Sequence, residues 1–185
     1  MKYSKLLVLD LDETLLYTVE QKEREPSWEP HWQSLDGCRT YLRPSIHHFL
    51  EGVLARFEAV GVWTAGTHDY ALEMLRLIAT PEQILQLRFI YSRERCHLKR
   101  DLETDEYCWI KDIKKLKKFG FHKNQILFID DTAAGLQKSY GNLIRIPKFV
   151  GDPNDNLLQK LLIYLDEIGD TENVRSIQKR IWNTK

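Results

Sequence analysis

The chain is poor in cysteine: three of its 185 residues, Cys38, Cys96 and Cys108. A chain of this length buries a core without covalent staples, and an odd count does not make a disulfide framework. The expectation is a reducing compartment, the cytosol or the nucleus. Net charge is also missing, since 27 Lys+Arg balance 27 Asp+Glu. No bulk field draws the chain to nucleic acid or an anionic bilayer, so direct nucleic-acid binding is not expected. Long apolar runs are absent too. The N-terminal run ends at Leu9, where Asp10, Asp12 and Glu13 begin. It is too short and too acidic for a signal peptide, and nothing elsewhere is long enough to span a membrane. Met1 is therefore taken as the mature start, and a monomer is the default. There is no Gly/Ser linker, repeat or low-complexity tract, which fits one domain.

Several active-site signatures are lacking as well. No G-x-x-x-x-G-K-[ST] or G-x-G-x-x-G occurs, so phosphate-loop and dinucleotide readings have no support. A cysteine phosphatase needs arginine at the sixth position after its nucleophile. Those positions hold Pro44, Leu102 and Lys114. The six histidines show no metal-ligand spacing. His47 and His48 are read as one buried edge and one exposed face of a helix, and His68 as a first-turn residue.

What is present is an alternation of two periods. Lys5–Leu9, Ala59–Trp63 and Gln125–Ile129 are short continuous apolar runs ending in polar residues, as in strands covered on both faces. Asn142–Ile146 reads as a short late strand. Between them lie helical stripes: Ile46 to Phe57 after Pro44, Tyr70 to Ile78, Ile110 to Leu116, Leu157 to Leu165, and a weaker one from Val174 to Ile181. This predicts a doubly wound α/β parallel sheet, Rossmann-like, with right-handed crossovers. Residues 18–42 form an insert after the first strand, its irregular part (18–37) read as a loop or flap. Its Trp28 and Trp32, with Tyr41, either pin the insert down or line a pocket beside a phosphosite. The domain is expected over residues 1–168. A C-terminal helix at about 172–182 either packs on it or begins a further region.

Three polar loops follow these strands: Asp10-Leu11-Asp12-Glu13-Thr14, Thr64-Ala65-Gly66-Thr67 and Asp130-Asp131-Thr132. Parallel strands would bring them to one cleft, at the carboxyl edge where open α/β sheets bind ligands. Four converging carboxylates, Asp10, Asp12, Asp130 and Asp131, repel one another and call for a cation. Hard oxygen donors select Mg²⁺ over zinc. A strand-end carboxylate can attack phosphorus, and a second acid two residues on can protonate the leaving oxygen and then activate water. An acidic turn capping a helix would explain the first loop alone. The second acid pair, after a similar strand, tips the balance. A calcium loop is excluded, because its sixth and twelfth positions hold Leu15 and Gln21.

These residues resemble the haloacid dehalogenase superfamily, whose first motif is D-x-D-x-T/V. More narrowly they resemble the branch of RNA polymerase II C-terminal-domain phosphatases and NLI-interacting-factor-like small phosphatases. The resemblance runs from Leu7 to about Ile168. It includes Asp10–Leu16, Leu42-Arg43-Pro44, Val62–Gly66 with Tyr70-Ala71, Ser92–Cys96, Ile110-Lys111-Asp112, Phe128–Thr132 and Phe149–Leu158. It implies Asp10 as nucleophile, Asp12 as general acid/base, and Thr64, Arg93 and Lys111 on phosphate. Asp10, Asp130 and the Asp12 backbone carbonyl would hold Mg²⁺, with Asp131 beside the metal or one of its waters. It further implies a phosphoprotein substrate, phosphoserine or phosphothreonine first and phosphotyrosine second, and no large cap domain. A small phosphorylated metabolite ranks third. The small phosphatases usually have Asp-Asn where this chain has Asp130-Asp131, and the stretch from Cys96 to Lys111 departs from their pattern. The rival class is a non-catalytic peptide-binding module of the same fold. The retained acids argue against it.

Overall fold

The computed structural model describes residues 2–19, 26–100 and 107–184. In chain order the strands are β1 (Tyr3–Leu9), β2 (Leu16–Val19), β3 (Trp32–Gln33), β4 (Arg39–Leu42), β5 (Phe57–Trp63), β6 (Ile90–Tyr91), β7 (His97–Arg100), β8 (Tyr107–Ile110), β9 (Ile126–Asp130) and β10 (Leu143–Arg145). The α-helices are α1 (Ile46–Arg56), α2 (His68–Ile78), α3 (Pro81–Gln86) and α4 (Leu157–Ile168). The central sheet is parallel, in the order β10-β9-β1-β5-β6. The expected doubly wound architecture is therefore present. Among the described residues no helix is long and apolar enough to cross a membrane.

Side-chain alternation explains why the central strands are apolar throughout. Leu7 and Leu9 of β1, Val60 and Val62 of β5, and Leu127 and Ile129 of β9 face a core shared with α1, α2 and α4. Leu6 and Val8, Ala59 and Trp63, and Ile126 and Phe128 face the opposite core. Each strand is thus buried on both faces, and a register slip would exchange one core for the other.

Strand order also places the site. From β1 the chain moves outward through β5 to β6, then returns to lay β9 on the other side of β1. The crevice at that switch lies beyond the carboxyl ends of β1 and β9. Asp10 follows the first of these strands and Asp130 ends the second.

Residues 18–42 differ from expectation in part. The segment is not all loop: β2, β4 and β3 form a small antiparallel sheet, with Thr18 opposite Thr40. Residues 20–25 lie outside the described residues. Runs of two to four residues are too short to declare a period. The aromatics pin this sheet to the body. Tyr41 is buried, Trp28 packs edge-on against it at 5.2 Å, and Trp28 Nε1 donates to the Gly151 carbonyl at 2.6 Å.

Three other expectations need correction. The helix over 172–182 does not form. Val174 and Trp182 do enter the main core, but Ile181 is exposed, so there is no continuous apolar stripe. The Lys179 ammonium donates to the carbonyls of Val174 and Ile177, leaving short 3₁₀ turns at Val174–Ser176 and Trp182–Thr184. The stripe around Ile113 is likewise a 3₁₀ helix, Ile113–Phe119, capped by Asp112. His47 and His48 are both exposed, because Ile46, Phe49 and Leu50 already fill the buried face of α1.

Arg43 secures the loops around the crevice. It is fully buried and forks onto Asp155, with Nε to Oδ1 at 3.0 Å and Nη2 to Oδ2 at 2.8 Å. It also donates to the carbonyls of Thr14 (2.8 Å) and Pro147 (3.0 Å). Lysine keeps the charge but cannot serve four acceptors in that plane. Arg43→Lys is expected to lower stability by about 2 kcal/mol. Urea unfolding beside wild type checks this, and an unchanged midpoint would refute it.

Candidate active site

Three loops meet at the crevice as expected, and they build two sub-sites rather than one. Asp10, Asp130 and Asp131, all buried, place carboxylate oxygens within 4.8 Å of one another. Lys111, equally buried, donates to Asp10 Oδ1 at 2.6 Å and Asp130 Oδ2 at 2.7 Å. Its backbone N–H is fixed on the Gly135 carbonyl. Thr14, the last residue of D-x-D-x-T, accepts from the Asp131 backbone N–H at 3.1 Å, and its hydroxyl lies 3.3 Å from Asp10 Oδ2. Thr132 donates its N–H to Asp130 Oδ1 and its hydroxyl to Asp131 Oδ2, each at 2.9 Å.

The Asp12 side chain turns away from this cluster, correcting the expected convergence of four carboxylates. Glu13, held at φ 57°, redirects the chain just after it. Asp12 Oδ2 accepts from the Thr64 hydroxyl at 3.1 Å, and Oδ1 accepts from the Tyr70 hydroxyl. Thr64 in turn accepts the Gly66 N–H at 2.9 Å. A Cβ on Gly66 would fall 2.7 Å from Tyr70 Cδ1, so glycine here leaves room for that ring. The Tyr70 hydroxyl continues to Thr18 and then Thr40, at 3.0 Å each.

The electrostatics differ between the two parts. Burial pushes the Asp10 carboxyl well above the ordinary range; the Lys111 ammonium opposes this, while Asp130 and Asp12 reinforce it. Burial alone would lower the Lys111 pKa, but Asp10 and Asp130 reverse the direction and keep it a cation. Burial also raises Asp12, and the Tyr70 and Thr64 hydrogen bonds pull it part of the way back. A carboxyl that holds its proton more tightly suits a proton donor.

Beside Asp12 lies an open cleft of about 530 Å³, lined by Asp12, Ala65, Gly66, Thr67, Tyr70, Arg93 and Trp109. Arg93 sits on its rim, with Nε donating to the Ala65 carbonyl at 2.8 Å and the guanidinium over the Trp109 ring. The expected site residues thus lie around the crevice: Asp10, Lys111, Asp130 and Asp131 in the acidic cluster, Asp12 and Arg93 lining the cleft, and Thr64 fully buried behind Asp12. Three contributors had no role assigned from sequence. Tyr70 belongs to the second matched motif and to an apolar helical stripe, but its contact with Asp12 spans 58 positions. Trp109 belongs to the unmatched stretch before Lys111. Lys148, which reaches Glu13 and lies 3.8 Å from Asp131, follows a short strand with no motif of its own.

The donor set suits a small hard cation. All three side chains in the cluster offer oxygen, and three carboxylates face one buried ammonium. Similarity to known proteins agrees with the geometry. Nuclear envelope morphology protein 1 of Schizosaccharomyces pombe is 29% identical over 178 residues, covering 94% of this chain and 35% of that protein. The CTD nuclear envelope phosphatase 1 homolog of Caenorhabditis elegans is 29% identical over 187 residues, covering 95% and 71%. The chain therefore spans about a third of the first relative's length. Among solved structures, the RNA polymerase II CTD phosphatase Fcp1 superposes with a TM-score of 0.55 at 20% identity, covering 94% of this chain and 51% of Fcp1. That likeness shows the fold, which is of the haloacid dehalogenase type. Residues 5–175 match the family model for the NLI interacting factor-like phosphatase, and with the site just described the chain belongs to that family.

Proposed function

We propose that this chain is a Mg²⁺-dependent phosphomonoester hydrolase working through an aspartyl-phosphate on Asp10, with a phosphoprotein as substrate. The observation that carries the reading is the division of labour at the crevice. Asp10 sits in a buried cluster of acids with Lys111, while Asp12 is held separately on Thr64 and Tyr70, facing the open cleft.

Asp10, Asp130, Asp131 and, by family resemblance, the Asp12 backbone carbonyl would hold Mg²⁺. Its chemistry there is to neutralise charge on the acids and on phosphate oxygens. The remaining work belongs to side chains. Lys111 opposes the burial that disfavours the charge of Asp10 and aims its carboxylate, and its ammonium meets phosphate charge. An Asp10 oxygen attacks phosphorus in line as the bond to the leaving oxygen breaks. Asp12 gives its proton to that oxygen. Asp12, now a carboxylate, takes a proton from a water that attacks phosphorus. The bond between phosphorus and Asp10 then breaks, releasing phosphate and restoring both acids. Arg93, on the cleft rim, is placed to meet phosphate or the residues beside it.

The open cleft and its flanking small sheets favour a polypeptide over a small metabolite. Phosphoserine and phosphothreonine rank first and phosphotyrosine second. The names of the relatives place them at the nuclear envelope, which favours the cytosolic or nuclear side of that membrane as the working location.

Hydrolysis of an aryl phosphate, with Mg²⁺ and with chelator, tests the activity. Asp12→Asn is expected to lower kcat by about a hundredfold while leaving the Mg²⁺-induced rise in Tm intact. Loss of the Tm response with turnover preserved would reverse the roles of the two acids. A wild type inactive on every phosphoester but binding peptides would favour the non-catalytic module.

A further inference from the structure

Beyond the acidic site, on the other side of Asp131, lies a second concavity of about 870 Å³ between β10 and the C-terminal segment. It is lined by Arg145, Lys148, Arg175, Lys179 and Arg180, and by no aspartate or glutamate. In a chain whose formal charges cancel, such segregation gives one cleft a field of single sign.

The cations are poorly compensated. Lys148 pairs with Glu13, but among the described residues none of the other four pairs with a carboxylate. Arg145 spends Nε on the Asp131 carbonyl, and Arg175 spends Nη1 on the Asn142 side chain. Lys179 is buried with its ammonium on two backbone carbonyls. Arg180 is exposed, and only its backbone N–H is engaged, by Gln178. Burial, and after it the like charge of Arg175, lowers the Lys179 pKa. Holding these cations together costs electrostatic energy that a polyanion would relieve.

Position supplies the second argument. Arg145 ends β10, the neighbour of β9, so the cleft opens at the same carboxyl edge as the site. Lys148 lines it and reaches to 3.8 Å from Asp131. An extended chain rises about 3.3 Å per residue, so the separation of the two sites along this edge fixes the spacing of phosphates that can occupy both.

We propose that this cleft binds a second phosphate on the same polypeptide as the phosphate being hydrolysed, so that multiply phosphorylated segments are the preferred substrates. The inference rests on the phosphatase reading for the word substrate, but anion binding in the cleft stands independently of turnover.

The test uses a labelled peptide carrying one phosphate and a set carrying a second at increasing spacing. Binding is read by fluorescence anisotropy on Asp10→Asn protein with Mg²⁺, so that no turnover is needed. At one or more spacings the second phosphate is expected to tighten binding about tenfold, an advantage that weakens with salt. Arg180→Glu, placed on the Asp10→Asn background, should erase it. On the otherwise wild-type chain, Arg180→Glu should leave aryl-phosphate turnover unchanged, since Arg180 touches nothing in the acidic site. Arg175→Gln is the second probe, with a smaller loss expected. Equal binding of singly and doubly phosphorylated peptides at every spacing would overturn the proposal. So would an advantage that survives Arg180→Glu. If the substitution instead abolishes binding to phosphatidylserine vesicles and spares the peptides, the cleft belongs to a membrane surface and the proposal fails. Failure of aryl-phosphate hydrolysis in wild type would sink the phosphatase reading without touching the binding result.

Discussion

Asp10→Asn is expected to hydrolyse an aryl phosphate at least about ten-thousandfold more slowly than wild type, a loss on the order of 5 kcal/mol in transition-state stabilisation. An amide lacks a nucleophilic oxygen of comparable strength, and nothing else in the cluster stands in the same position after β1. The shape of the side chain is retained, so the fold should persist. Burial already opposes the charge of Asp10, and Asp130 repels it, so removing that charge should leave stability unchanged or raise it. Rapid quenching of wild type with a labelled phosphoester should trap a hydroxylamine-sensitive acyl phosphate, and Asp10→Asn should trap none. Appreciable turnover by the variant, or label on another residue, would defeat the nucleophile assignment.

Lys111→Met should cost stability as well as turnover. Its ammonium is buried between Asp10 and Asp130 at 2.6 and 2.7 Å. Deleting one partner of a buried ion pair typically costs about 3–5 kcal/mol, because the remaining charge is stranded. Here two carboxylates would be stranded. Urea unfolding in chelator should show a loss of that size, and added Mg²⁺ should restore part of it by supplying countercharge. Lys117→Met, on the exposed side of the 3₁₀ segment that follows Lys111, is the control and should shift stability by less than about 0.5 kcal/mol. Combining Lys111→Met with Asp130→Asn should cost less than the sum of the single changes. Equal effects at positions 111 and 117 would show that the buried triad is not what holds this corner together.

The parallel sheet was legible because each central strand is buried on both faces and leaves an unbroken apolar run. The acids were legible because strand ends carry them in two copies, after Leu9 and after Ile129. What the sequence hid depended on pairing across distance or on very short elements. β2, β3 and β4 are too brief to announce a period, and α3 buries none of its six residues, so only its Thr80-Pro81 start marks it. The helix over 172–182 was misread because Val174, Ile177 and Ile181 fall at helical spacing by coincidence, while Lys179 takes the carbonyls a helix would use. Within the site, a list of acids gave no indication that Asp12 faces away from the others. That goes with the left-handed turn at Glu13 and with the Tyr70 hydroxyl, whose motif position does not announce a contact 58 positions away.

The anchorage of Arg43 bears on when the acidic crevice takes its final form during synthesis. The first loop hangs on that guanidinium through Thr14, and the guanidinium is oriented by Asp155, 112 positions later. The Glu13 carbonyl likewise waits for the Phe149 N–H. Contacts of such span close slowly, and a ribosome adds residues in order. A nascent polypeptide halted before residue 149 would already contain Asp10, Asp12, Lys111 and Asp130, yet lack the parts that hold the first loop in place. The order of the first loop therefore waits for residues 149–155, and a product that stops short of them holds the acids without their anchors.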